Sequence, residues 1–390
     1  MQLDYTPEQR ALKQQLRTYF AQLMTPELED EISRLESGGP LARRTLEQMG
    51  RDGWLGIGWP KQVGGQGRPA IEQFIFFDEV QRAGFPIPLL TLNTVGPTLM
   101  EHGTEPQRQA FLPRILAGKL QFAIGYTEPQ AGTDLAALKT KAVREGDHYV
   151  VNGEKTFTSL ADHADYIWLA CRTDAAARHK GISILIVDTK LPGITMQPMR
   201  TLGDNRTFAV FYDNVRVPAD MLVGAENAGW KLITTQLNHE RISLFSAGII
   251  ERFLDETIAW ARDARTARGE HVIDVAWVQS HLARVRAGTD ILRLFNWRQC
   301  WNIERGALTS PEASSVKVYG SEFYVQSTRL LMEIVGEAST LVRGSPGAVL
   351  QGRLERYHRS TLVLTFGGGA NEIQRDIIAT AGLGLPRSPR

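Results

Sequence analysis

The hydrophobic period of this 390-residue chain changes twice, and that order limits the folds open to it. Up to about residue 117 apolar residues recur at helical spacing. Leu12, Leu16, Tyr19, Phe20 and Leu23 form the first stripe. Thr6 can cap it, Pro7 suits the first helical position and Gln9 completes a capping box. Further helical patterns cover about 41–50, 70–83 and 105–117. Near residue 121 the pattern becomes strand-like, with Tyr166–Cys171, Ile182–Val187 and Val210–Val215 as apolar runs and Pro192-Gly193 as a turn. Tyr149-Val150-Val151, Asn152-Gly153 and Lys155–Thr158 read as a tight hairpin, because Asn-Gly suits the positive φ angles of a type I′ turn. From Gly229 helical spacing returns over about 229–263, 275–305 and 311–336, with a last helix from Asn371. Helices, then strands, then helices predict segregated layers, not alternating βαβ units. No Gly-x-Gly-x-x-Gly follows a predicted strand, which argues against a Rossmann-type site. Gly64-Gly65-Gln66-Gly67 lacks the Lys-Ser/Thr of a phosphate loop and reads as a turn.

Charge and cysteine content remove several function classes. Lys+Arg number 44 and Asp+Glu 43, a net +1, which gives no reason to expect nucleic acid or an anionic membrane as partner. Cys171 and Cys300 lie far apart, match no metal or redox spacing and read as reduced core thiols. No His cluster or His-Glu-x-x-His suggests metal chemistry. Met1–Tyr5 lack a basic n-region and an apolar start, and Ile182–Val187 is too short to span a bilayer, so a cytoplasmic protein is expected.

Two segments stand out for their polar residue types. Tyr126-Thr127-Glu128-Pro129-Gln130-Ala131-Gly132-Thr133-Asp134 is a turn rich in hydroxyls and small residues. Phe157-Thr158-Ser159 follows about 24 residues later. Together they can wall a polar slot. These segments take their place among ordered landmarks: Gly58-Trp59-Pro60, Thr127-Glu128-Pro129, Asn152-Gly153-Glu154-Lys155, Val215-Arg216-Val217-Pro218, Gly229-Trp230, Glu240-Arg241 and Asn371-Glu372-Ile373-Gln374-Arg375. In this order and spacing the chain resembles the acyl-CoA dehydrogenase superfamily along essentially its whole length. The resemblance implies an α+β fold with an N-terminal helical domain (1–121), a central β-barrel-like domain on the flavin-ring side (122–228) and a C-terminal four-helix bundle (229–390). Phe366-Gly367-Gly368-Gly369 and Leu383-Gly384-Leu385-Pro386-Arg387 are similar to a narrower branch. That branch comprises bacterial α2β2 heterotetramers acting on sterol side-chain CoA thioesters.

The resemblance assigns roles residue by residue. FAD is the implied cofactor. Tyr126 and Thr127 lie along its ring, and Gly132 lets the backbone approach. Thr133 serves the phosphate or thioester end. Phe157, Thr158 and Ser159 match an aromatic-Ile-Thr triplet in which the aromatic covers the ring and the last hydroxyl bonds near N5. Gly367–Ala370 lead into the helix at Asn371, whose free N–H groups can hold an anion or ribityl oxygen.

The base is displaced. Many relatives carry it as the Glu of a Tyr-Glu-Gly-Thr segment, and that position falls on Gly368, which keeps an N–H able to donate to the thioester carbonyl. Another branch places the base on the first long C-terminal helix, at the position of Glu240. Leu237, Leu244 and Ala247 share its predicted stripe, and an apolar wall raises a carboxylate's proton affinity. The rival reading holds Glu240 in a structural salt bridge with Arg241. By resemblance Arg241 lines the substrate pocket.

Adenine-side landmarks have drifted. Arg265 is kept, but Arg268 stands where an aromatic belongs, Ala276 replaces a Gln, and Met332–Ala338 lacks the Gln and paired glycines of the third segment. Glu333 and Glu337 add negative charge toward a pyrophosphate. This predicts a homologous second subunit completing the site. The implied substrate is an acyl-CoA, a steroid-CoA by the narrower resemblance, and the implied electron acceptor is electron-transfer flavoprotein. A flavin monooxygenase, an acyl-CoA oxidase and a non-catalytic partner subunit stay open as alternatives.

Overall fold

A computed structural model describes residues 4–35, 39–175, 177–240 and 245–386, the side chains of 235–240 excepted. Helices α1 (Pro7–Leu23), α2 (Pro26–Leu35), α3 (Pro40–Arg51), α4 (Ala70–Ala83), α5 (Gly96–His102) and α6 (Glu105–Leu116) make the first block. The capping box of α1 forms as predicted: Gln9 N–H donates to the Thr6 hydroxyl at 3.3 Å, and Thr6 N–H to the Gln9 side chain at 3.0 Å. Its inner face buries Leu12, Leu16 and Phe20.

A π turn at Thr91–Val95, unforeseen from the sequence, precedes α5. Such a turn aims the Leu92 carbonyl at the N–H five residues on, and Pro97 has none. The Trp59 indole N–H takes that carbonyl at 3.1 Å. Gly96 makes room, since a Cβ there would lie 2.1 Å from the indole ring. The Gly64–Gly67 turn closes over the same tryptophan, with Gly67 N–H donating to the Trp59 carbonyl at 2.8 Å.

Strands β1 (Phe122–Gly125), β2 (Lys141–Glu145), β3 (His148–Lys155), β4 (Tyr166–Arg172), β5 (Ile182–Asp188), β6 (Ile194–Arg200), β7 (Arg206–Pro218) and β8 (Leu222–Val223) form one sheet. The order is β6-β7-β3-β2-β4-β5-β8, with β1 parallel to β4. The expected hairpin is displaced. β3 runs through Asn152-Gly153, and the chain reverses at Gly146-Asp147, between the paired Glu145 and His148. Asn152-Gly153 instead forms an irregularity against β7, where Gly153 has φ 145° and a Cβ would come 2.7 Å from the Thr140 Cα. Bulges and tight turns both favour glycine at positive φ, so the dipeptide alone does not separate them.

β4 and β5 read as apolar runs, interrupted only by the buried Ser183, because both faces are buried. Trp168, Ala170, Ile184 and Ile186 enter a core shared with the first helical block. Ile167, Leu169, Leu185 and Val187 enter the core of the strand unit. Cys171 and Cys300 are buried and free, as expected. Trp168 is fully buried, and Trp297 packs edge-on against Tyr5 at 4.8 Å.

The last block holds α7 (Gly229–Glu240), α8 (Ala247–Asp263), α9 (Ala276–Glu304), α10 (Ser310–Val335), α11 (Arg353–Thr361) and α12 (Asn371–Ile377). The helical stretch predicted over 229–263 is split, because α8 starts anew at Ala247 with Ser246 as its cap. Leu232 and Ile233 of α7 join the first core, whereas α8, α9 and α10 share a separate one. No helix among the described residues is long and apolar enough to cross a membrane.

Candidate active site

The turn after β1 is built around one buried carboxylate. Glu128, 2% exposed, accepts from Lys139 N–H at 2.6 Å, Thr140 N–H at 2.9 Å, the Gln130 side chain at 2.7 Å and the Lys155 ammonium at 2.7 Å. Burial alone would raise its proton affinity; the Lys155 charge and the surrounding hydrogen bonds outweigh that and hold the carboxyl below its ordinary pKa. Lys155, fully buried at the end of β3, also donates to the Tyr126 carbonyl at 3.1 Å. One residue on, Thr156 N–H donates to the Thr127 carbonyl at 2.8 Å. The two predicted walls therefore meet, joined through main chain and a buried ion pair. The pair joins residues 27 apart in sequence, so neither local pattern announces it. Its signal was a lysine at the end of the inward series Tyr149, Val151, Lys155, where only a buried acid can match it.

Beyond Lys155 the chain presents three unlike side chains. Phe157 has φ 58° and is 62% exposed. A left-handed phenylalanine costs about 1–3 kcal/mol and leaves its apolar ring without burial. Thr158 sends its N–H to the Phe208 carbonyl at 3.0 Å, yet its hydroxyl is fully buried with no partner among the described residues. Ser159 is exposed, its hydroxyl 3.3 Å from that of Thr207. On the facing turn Thr133 is exposed, and a Cβ on Gly132 would meet nothing within 4 Å. Tyr126 is half-buried, with its ring packed on the first core. An uncovered aromatic face, an exposed hydroxyl at Ser159 and an open glycine are the features a planar polar ring would complete, so the residues present fit a flavin.

The C-terminal glycine run is open. Gly368 has φ 66°, and a Cβ there would meet nothing within 4 Å. Asn371 is buried. Its side chain accepts from Lys317 at 2.7 Å and donates to Ser321 at 3.0 Å and Glu322 at 3.1 Å, which leaves main chain as its route to a ligand.

Glu240 is the final residue of α7, and its side chain lies outside the described positions. Arg241 and Leu244 lie outside the described residues. The apolar stripe predicted to continue from Glu240 to Ala247 does not run along one helix, since Ala247 opens α8. On the predicted adenine side, exposed Arg265 folds back to donate to the Gly269 carbonyl at 2.8 Å. Glu333 is held by His281, 2.9 Å away.

Family models match in three consecutive pieces: "Acyl-CoA dehydrogenase, N-terminal domain" over residues 6–119, "middle domain" over 123–215 and "C-terminal domain" over 227–383. The chain is 52% identical to Acyl-CoA dehydrogenase FadE26 of Mycobacterium tuberculosis over 100% of both chains. Among solved structures, a chain of the ChsE4-ChsE5 complex from Mycobacterium tuberculosis superposes with a TM-score of 0.94 at 52% identity, covering 100% of both. A chain of the Tcur3481-Tcur3483 steroid ACAD gives 0.93 at 49%, again covering 100% of both.

Proposed function

Because this chain belongs to the acyl-CoA dehydrogenase family, whose members are flavoprotein oxidoreductases acting on CH–CH bonds, we propose that it introduces an α,β double bond into an acyl-CoA thioester, with FAD as cofactor. The observation that carries this reading is the exposed Phe157 ring, held at φ 58° beside the exposed Ser159 hydroxyl. Tyr126, Thr127, Gly132, Thr133, Phe157, Thr158 and Ser159 would hold the flavin, with Arg265, Gly368 and the Asn371 main chain as further contacts. When bound, FAD supplies the two-electron acceptor that takes the β-hydrogen as hydride at N5.

The remaining work falls to side chains of this protein. Glu240 removes the α-proton as general base. Gly368 N–H donates to the thioester carbonyl, where charge gathers as that proton leaves. Gly368 and Thr133 border the acyl and thioester groups, and Arg241 anchors the substrate. A glycine where other branches carry the base supports placing that base on α7.

The substrate class we propose is a steroid side-chain CoA ester, supported by similarity to the Tcur3481-Tcur3483 steroid ACAD. The assembly is an α2β2 heterotetramer with a homologous chain, supported by likeness to the two-chain ChsE4-ChsE5 complex and by the drifted adenine-side residues. The borders 1–121, 122–228 and 229–390 divide the chain into three units, and electron-transfer flavoprotein is the acceptor. Co-expression with a homologous subunit, followed by anaerobic flavin bleaching with a steroid side-chain CoA thioester, tests the reading. Bleaching is expected with the wild type and not with Glu240→Gln. A Glu240→Gln protein with normal flavin and full turnover removes the base assignment. Bleaching by short fatty acyl-CoA alone removes the steroid.

A further inference from the structure

A run of glycines does not by itself point a donor in one direction. Gly367, Gly368 and Gly369 are exposed, and Gly368 and Gly369 have φ 66° and 101°, values that glycine alone adopts freely. The Gly368 N–H donates to no acceptor among the described residues. Glycine keeps the widest main-chain freedom of any residue, so the direction of that N–H depends on what holds the two ends of the run. One buried group holds both. Lys317 of α10, 3% exposed, donates its ammonium to the Thr365 carbonyl at 3.2 Å and to Asn371 Oδ1 at 2.7 Å. These two residues flank Phe366–Ala370. Further bonds from α10 secure the α12 side. Asn371 Nδ2 donates to the Ser321 hydroxyl at 3.0 Å and to Glu322 at 3.1 Å, the Ser314 hydroxyl donates to the Gln374 side chain at 2.8 Å, and Arg375 pairs with Glu322 at 2.7 Å. On the other side the Gly367 N–H returns to the Val363 carbonyl at 2.6 Å.

The lysine stands on a firm mount, since α10 buries Phe323, Tyr324, Leu330, Leu331 and Ile334 in the last core. Burying an ammonium is costly, and a cation beside the first residue of α12 opposes the dipole of that helix. Helix stability therefore does not explain its place. What the ammonium achieves there is to join Thr365 to Asn371 across the glycines. We infer that Lys317 is a positioning residue, which by fixing both ends of the run sets the direction of the Gly368 N–H toward the thioester carbonyl. This inference rests on Gly368 as the carbonyl donor of the proposed reaction. It assigns Lys317 no contact with substrate.

The test uses the full chain co-expressed with its homologous subunit and saturated with FAD. Lys317→Met removes the ammonium and keeps an unbranched side chain. Asn371→Ala loosens the same tie from α12 and takes its place should the first variant not fold. Hydrogen exchange over 363–374 is read together with anaerobic bleaching by a steroid side-chain CoA thioester and with the infrared stretch of an isotope-labelled thioester carbonyl in the bound enoyl product. Exchange at Phe366, Gly367 and Gln374, whose N–H groups are bonded to main chain, should quicken in both variants. The limiting bleaching rate should fall about 10-fold, short of the roughly 10²-fold or more that outright loss of such a donor costs. The half-saturating thioester concentration should change by less than about twofold, because the lost contact belongs to the transition state. The carbonyl stretch, lowered in the wild type by its donor, should move back toward that of the free thioester. The double variant should lose no more than the worse single one, since both cut one tie. Unchanged exchange overturns the tether. Quicker exchange with a wild-type rate or a wild-type carbonyl stretch overturns the positioning role. A wild-type protein whose bound carbonyl stretch equals that of the free thioester removes Gly368 as donor, while the exchange result still judges the tether.

Discussion

Two turns proposed to meet one flavin are built in opposite ways. The turn Tyr126–Asp134 is held from within, where Glu128 collects four donors, one of them a buried lysine. The run Phe366–Ala370 has no such centre. It is tied at its ends, by Lys317 donating to the Thr365 carbonyl at 3.2 Å and by the Asn371 network. Between those ties Gly367, Gly368 and Gly369 are exposed. A wall that must keep hydroxyls and amides in place is organised around buried charge. A wall that must leave room is bare main chain.

Breaking the buried pair should have the largest effect. Lys155→Met leaves Glu128 buried without its cation and should cost about 3–5 kcal/mol, read by chemical denaturation, with flavin content falling in step. A loss below about 1 kcal/mol would mean the turn is held by its amides alone. The same pair sets a pH dependence. Glu128 has a folded-state pKa below its unfolded value of about 4.3, so its contribution is complete above that value and is lost as pH falls through the lower folded one. Glu128→Gln should therefore lower stability at neutral pH and flatten the acid limb of the stability curve. An unchanged acid limb would place the titrating group elsewhere.

Gly368 offers the matching challenge to the open wall. Its φ of 66° penalises any Cβ by about 1–2 kcal/mol, while the space around it penalises none. Gly368→Ala should lose that much stability and retain flavin, with its larger effect on bleaching by bulky acyl-CoA. Equal losses for bulky and short acyl groups would show that the glycine serves its conformation and not the room it leaves.

The sequence revealed most of this contrast where chemistry was local. The Thr6 capping box, the return of helices at Gly229 and the inward runs of β4 and β5 follow from spacing alone. What it hid was tertiary. Asn152-Gly153 carries the same local signal for a bulge as for a turn, and only the register with β7 distinguishes them. The π turn at Thr91–Val95 depends on Trp59, more than thirty residues earlier, meeting the Leu92 carbonyl. The cap of α8 at Ser246 is tied to Asp78, 168 residues away. Glu128 and Lys155 were each visible, but their pairing needed the fold to bring β3 beneath the turn.

The smallest effect is the most discriminating. Ser159 presents an exposed hydroxyl 3.3 Å from that of Thr207. Ser159→Ala removes it and should change the flavin-free protein by less than about 0.5 kcal/mol in thermal melts. The flavin-loaded protein should lose more. A hydrogen bond to the ring is worth about 1 kcal/mol, so flavin affinity should fall about five-fold. A loss confined to the loaded state would identify the hydroxyl as kept for a ligand. Equal small effects in both states would make Ser159 an ordinary surface residue, and the strand-side wall would lose its hydroxyl contact with a bound ring.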